Sequence, residues 1–148
     1  MKLSRLMAAG LVLAGLVALW WWWPSPKLGP EEEIRALVAD AVEAAERKEP
    51  SAVVAALADD FRGPSGASRL EVKQLVAGHL LRQAERVLVL NPSLDVTVSS
   101  STTATLSGLF VFARGSTDQP ADATKYQIEA TLERRGGLWR ITSATWTR

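Results

Sequence analysis

The sequence predicts an α+β domain: three helices packed on a curved antiparallel sheet of about four long strands, preceded by one transmembrane helix. Three observations predict it. Residues 87–147 alternate apolar and polar side chains with a period of two, and residues 31–86 repeat apolar side chains every three or four positions. Residues 6–23 carry no charge at all.

The uncharged run comes first. Lys2 and Arg5 precede Leu6–Trp23, whose 18 residues would span about 27 Å as a helix, enough for a thin hydrocarbon core. Trp20 to Trp23 close the run, and tryptophan favours the membrane–water interface. Pro24, Ser25, Pro26 and Pro30 then make residues 24–30 a stiff linker. A cleaved secretory signal is the competing reading. Its cleavage site needs small residues after the apolar run, where this chain has four tryptophans and Pro24. An uncleaved anchor is therefore expected. Lys2 and Arg5 would stay in the cytoplasm, leaving residues 31–148 outside the inner membrane, in the periplasm. The chain has no cysteine, which excludes disulfides, thiolate metal sites and a lipidated cysteine.

Helix one is predicted from Pro30, a favoured first-turn residue. Glu31, Glu32 and Glu33 open it and Arg47 and Lys48 close it, both complementing the helix dipole. Ile34, Leu37, Val38, Ala41, Val42 and Ala45 form its apolar stripe. Glu49-Pro50 ends it and begins a short second helix with Ala52, Val53, Ala56 and Leu57 buried. Asp59-Asp60-Phe61 and a Gly-Pro-Ser-Gly loop follow. Ser68 and Glu71 make a capping box for helix three. Its stripe runs through Val72, Leu75, Val76, Leu80 and Val87, with His79 and Gln83 on or beside it.

Strands follow. Val87–Val98 contains Asn91-Pro92, so it is expected at an edge or with a bulge, or split into two short strands. In Thr103–Arg114, Ala104, Leu106, Gly108, Phe110 and Phe112 share one face; Thr103, Thr105, Ser107, Leu109, Val111 and Ala113 share the other. In Lys125–Arg134, Tyr126, Ile128, Ala130 and Leu132 face the core. Gly115–Ala123 reads as a long hairpin loop, and Arg134-Arg135-Gly136-Gly137 as a tight turn. Leu138–Thr147 closes the sheet. Phe110, Phe112, Ile128, Leu132, Trp139 and Ile141 are expected in one core.

Charge is nearly balanced, with 17 basic and 16 acidic residues. Without Lys2 and Arg5 the outer domain is about neutral and shows no basic stripe, so nucleic acid is not an expected partner.

Three helices followed by four strands resemble the nuclear transport factor 2-like superfamily, the α+β cone shared with SnoaL-like cyclases and ketosteroid isomerases. Ser51–Phe61, ending in Asp-Asp-Phe, is similar to that family's second helix, Leu70–Arg86 to its third, and Leu138–Trp146 to its closing strand. The resemblance covers residues 31–148. It implies the fold; the fold hosts enzymes, ligand binders and assembly modules alike.

Enzymes of that superfamily keep acids and bases inside the cone. The interior strand faces offer one titratable group, Tyr126. His79 is the single histidine, and one histidine cannot build a multi-histidine metal site; a backbone-paired, half-buried helix histidine is its expected role. Asp59 and Asp60 read as turn residues, and Trp139 and Trp146 as core plugs. There is no glycine-rich phosphate loop or nucleophile motif, so no cofactor is expected. His79, Tyr126, Phe110, Phe112 and Trp139 are the pocket candidates. The expected function is a membrane-tethered, non-enzymatic binding or assembly module taking a protein or an apolar small molecule. A SnoaL-like enzyme and a secreted carrier of an apolar ligand are the alternatives. Leu109 and Val111 on the outer sheet face predict a weak homodimer.

Overall fold

A computed structural model describes Ala18 and residues 27–82, 87–116 and 119–148. The expected anchor, Leu6–Trp23, lies outside the described residues apart from Ala18. Among the described residues no helix is long and apolar enough to cross a membrane.

The elements are helix α1 (Pro30–Glu46), helix α2 (Pro50–Val54), strand β1 (Leu57–Arg62), a 3-10 turn (Pro64–Gly66), helix α3 (Arg69–Leu81), and strands β2 (Val87–Val98), β3 (Thr103–Ser116), β4 (Gln119–Arg135) and β5 (Leu138–Thr147). They build one five-stranded sheet in the order β1-β5-β4-β3-β2. The α+β architecture is as the sequence predicts. The strand count is not: β1 is the fifth strand, and it pairs parallel to β5.

Strand β1 also corrects the second helix. Residues 50–54 are helical, but 57–62, including Asp59, Asp60 and Phe61, run as a strand. Helical spacing predicts one buried side through Leu57. The free edge of β5 offers ladder partners instead, and tertiary pairing overrides a five-residue helix that can barely nucleate. Ala58 and Phe61 are buried, and Asp59 and Asp60 point to solvent.

Helix α1 starts as expected, with Pro30 in its first turn and Glu31, Glu32 and Glu33 behind it. Its end differs. Arg47 is the C-cap, and Lys48 lies beyond it in the left-handed region at φ 57°. Lys48 and Glu49 N–H groups donate to the Ala45 and Ala44 carbonyls at 3.0 and 2.9 Å, the two bonds of a Schellman cap. No basic residue sits in the last turn. The Ser68–Glu71 capping box of α3 is present in both directions. Val87 does not belong to that helix; it begins β2.

Strand β2 is an edge strand whose register slips between Leu90 and Ser93, where Asn91-Pro92 was expected to disturb it. With its amide nitrogen turned inward, Asn91 donates to the Leu109 and Ser93 carbonyls at 2.9 and 2.6 Å. Gly108 pairs with Leu94, just past this bulge. A Cβ there would lie 3.0 Å from the Ser93 carbonyl oxygen, so glycine lets the two backbones approach. The β3–β4 connection is tighter than expected: Ser116 pairs with Gln119, so much of Gly115–Ala123 is ladder rather than loop. Gly136 and Gly137, at φ 60° and 79°, form the two-residue β4–β5 turn, as a type I′ hairpin requires.

The core lies between the helices and the inner sheet face. Ile34, Leu132 and Phe61 are the largest fully buried side chains. Phe110, Leu132 and Trp139 are buried in one cluster with half-buried Phe112, Ile128 and Ile141 packed against it, so the six expected core residues do meet.

Candidate functional site

The concave face does not close completely on the helices. Between them lies a cavity of about 320 Å³, within the range of small-molecule sites. Helix α1 contributes Leu37, Ala41 and Val42 to its wall, and α3 contributes Val72, Leu75, Val76 and His79. The sheet contributes Leu106, Phe110, Phe112, Tyr126, Ile128, Ala144 and Trp146. Among the described residues His79 and Tyr126 are the titratable lining residues, and no Asp, Glu, Lys or Arg side chain joins them.

A bulge completes this wall. Thr131 of β4 pairs with Ser143 and Leu132 with Ile141, leaving Thr142 as the extra residue. The Thr142 hydroxyl donates to the Thr131 carbonyl at 3.2 Å. An extra residue moves every following side chain to the other face. Trp139 and Ile141 therefore face inward before the bulge, and Ala144 and Trp146 after it. Strict alternation along β5 would turn Trp146 outward.

Four of the five pocket candidates line the cavity. Phe112 and Tyr126 meet edge to face, with ring centroids 5.7 Å apart and planes at 81°. Tyr126 is half-buried. His79 is exposed rather than half-buried, and among the described residues its side chain has no hydrogen-bond partner. It stands at the mouth beside Leu75, which is 65% exposed while lining the cavity. Helical phase explains the miss: His79 is one position before buried Leu80, so the stripe passes beside it.

Trp139 does not line the cavity. It is buried at the other end of α1, where its indole N–H donates to a Glu33 carboxylate oxygen at 3.0 Å and the Arg134 guanidinium donates to the same oxygen at 2.7 Å. The Arg134 guanidinium carbon lies 5.6 Å from the Trp139 ring centroid. This cluster latches the start of α1 to β4 and β5. Glu33 was expected only to complement the helix dipole.

Asp59 and Asp60 stay outside the cavity. Asp60 accepts from Arg135 at 2.6 Å, and Arg135 also holds Glu133 at 2.6 Å. The Arg135 hydrogen bond keeps the Asp60 carboxyl below its usual range. A second, surface depression near Asp59 is lined by Ser51, Ser68, Arg69 and Lys73, but Asp59 already pairs with Arg69 at 3.7 Å. Among the described residues no three potential metal ligands gather.

Apolar walls with an isolated imidazole and an isolated phenol can exclude water and hold an apolar body. Among the described residues no carboxylate lines this cavity to orient either group.

No family model matches the sequence, and no curated protein matches it. Solved structures do match the fold. Aln2 from a Streptomyces species superimposes with a TM-score of 0.71 at 15% identity, over 84% of this chain and 93% of that one. A nuclear transport factor 2-like protein with a cystatin-like fold from Novosphingobium aromaticivorans gives 0.66 at 20% identity, over 90% and 86%. A provisionally named scytalone dehydratase from the same organism gives 0.67 at 17%, over 78% and 81%. Helices on the concave face of a curved sheet, a cavity between them and these superpositions agree: the chain has the nuclear transport factor 2-like, cystatin-like fold.

Proposed function

We propose that this protein is a membrane-tethered, outward-facing binding module that holds an apolar ligand or an apolar segment of a partner without transforming it. One observation carries the reading. The cavity is walled by aliphatic and aromatic side chains, and among the described residues its two titratable groups, His79 and Tyr126, have no acidic or basic neighbour in the lining. A charged ligand would pay the full desolvation cost there with nothing to offset it. The anchor rests on Leu6–Trp23 and the Trp20–Pro24 block.

Photo-crosslinking of the full chain in membranes tests both parts. An uncharged alkyl diazirine should label peptides spanning Val72–Leu80 and Phe110–Phe112, and Ala41→Phe, which fills the cavity, should suppress that labelling. His79→Gln and Tyr126→Phe should leave it intact. Labelling that ignores Ala41→Phe would end the ligand reading. Recovery of the protein as a soluble species beginning after Trp23 would end the tether and favour a secreted carrier.

The enzyme alternative is favoured by the shared cavity of His79 and Tyr126 and by the dehydratase name of one structural neighbour. It requires loss of turnover, with unchanged thermal stability, on His79→Gln. The weak homodimer remains part of the proposal. Leu90, 48% exposed on β2, pairs with Val111 and extends the outer strip of Leu109 and Val111.

A further inference from the structure

Helix α3 leaves three of its four leucines exposed. Leu80 is its one buried hydrophobic residue, whereas Leu70, Leu75 and Leu81 are 63%, 65% and 64% exposed. At 100° per residue, Leu70 and Leu81 lie about 20° apart on the outer face, and Leu75 about 140° from Leu70. Leu75 is also a wall of the cavity, beside exposed His79. The exposed leucines thus run from the outer face of α3 into the cavity mouth.

Large exposed apolar side chains grouped on one element mark a surface that meets a partner or a membrane. Charge selects what covers this one. Helix α3 carries Arg69, Lys73 and the C-cap Arg82 against a single acid, Glu71, with Arg69 already paired to Asp59. Helix α1, over the same sheet face, carries six acids against Arg35. An anionic phospholipid surface attracts the first helix and repels the second. Reach agrees. Six residues separate Trp23 from Pro30, and six extended residues span at most about 20 Å. A domain tethered so closely meets the bilayer at high effective concentration.

We infer that α3 docks on the phospholipid bilayer, with Leu70, Leu75 and Leu81 at the boundary between headgroups and acyl chains, so that the cavity mouth opens to the lipid phase. The inference rests on the tethered, apolar-cavity reading above and adds the route by which an apolar ligand enters. Amphipathic surface helices sit about 5–10 Å into that boundary, deep enough to seat leucines and shallow enough to keep the flanking bases at the headgroups.

The absence of cysteine makes single labels clean. Full-length protein carrying Leu70→Cys, Leu75→Cys or Leu81→Cys is labelled with an environment-sensitive dye and reconstituted in vesicles of phosphatidylcholine and phosphatidylglycerol. Ala39→Cys on α1 and Thr105→Cys on the outer sheet face, both exposed, are the controls. Nitroxide borne on the upper acyl chain should quench the α3 labels several-fold more than the controls, and Arg82→Glu should weaken that quenching. Equal quenching at all five positions would overturn docking. So would α3 labels shielded from an aqueous quencher yet untouched by the lipid nitroxide, because a second protein surface would then cover the helix. Diazirine labelling on the same vesicles reports the cavity separately: retained labelling without quenching sinks only the docking, and lost labelling sinks the ligand reading itself.

Discussion

Helices α1 and α3 cover the same sheet and are held in opposite ways. Helix α1 is acidic and amphipathic. It buries Ile34, Val38, Ala44 and Ala45 and is fastened near both ends, through Glu33 to Arg134 and Trp139, and through Glu46, which accepts from the Val89 N–H at 3.2 Å. Arg35 adds a bond to the Leu94 carbonyl of the edge strand at 3.0 Å. Helix α3 is basic, buries Leu80 and leaves three leucines in water. Both helices border the cavity, but α1 is fastened into the domain whereas α3 keeps an exposed outer side. The two helices thus divide the work of holding the fold, while buried residues such as Val38 and Phe110 both fill the core and line the cavity.

The largest expected effect tests that division. Ile34→Ala, at a site with no exposure, should cost about 2–5 kcal/mol in denaturant unfolding. Leu75→Ala, on α3, should cost under about 1 kcal/mol. Comparable losses would erase the distinction between the helices. Phe112→Ala comes next. A fully buried ring would cost about 3–5 kcal/mol, but Phe112 is half-buried against the cavity, so about 1–2 kcal/mol is expected. Removing its ring should also enlarge the ligand space, read as labelling by a bulkier diazirine.

Glu33→Ala probes the latch. It leaves the Trp139 N–H and the Arg134 guanidinium without their shared acceptor, and a loss of about 1–2 kcal/mol is expected. No change would mean that water replaces the carboxylate. For the outer face, Leu109→Glu should abolish any concentration-dependent self-association seen by sedimentation of the detergent-solubilised chain; a monomer throughout, unaffected by the change, ends the dimer proposal. The smallest effect is electrostatic. Arg135 lowers the folded-state pKa of Asp60 below its ordinary 3.8. The ion pair therefore contributes stability above the unfolded-state value and loses it as pH falls through the lower folded value. Asp60→Asn should flatten the stability curve below about pH 4, weakly, since both groups are exposed and screened by salt.

Much of this was legible in the residues. Pro30 with three glutamates, the Ser68–Glu71 box, the alternation of Thr103–Arg114 and the Gly136-Gly137 turn each specify local geometry through nearby atoms. So does Asn91-Pro92, which cannot complete a ladder. Inner and outer faces of β3 and β4 followed from parity, apart from Ala113, expected outside and found buried, and with them Phe110, Phe112 and Tyr126 in the cavity wall. Tertiary structure decided what depends on distant partners. Residues 57–62 became a strand because β5 offered an unpaired edge. Trp146 turned inward because Thr142 is an extra residue opposite β4. Trp139 left the ligand space for Glu33, 106 positions away in the chain, and His79 reached the mouth because α3 packs through Leu80. Sequence patterns report which side of an element is apolar; which neighbour each side meets is set by the closure of the sheet around its core, and no local spacing encodes that.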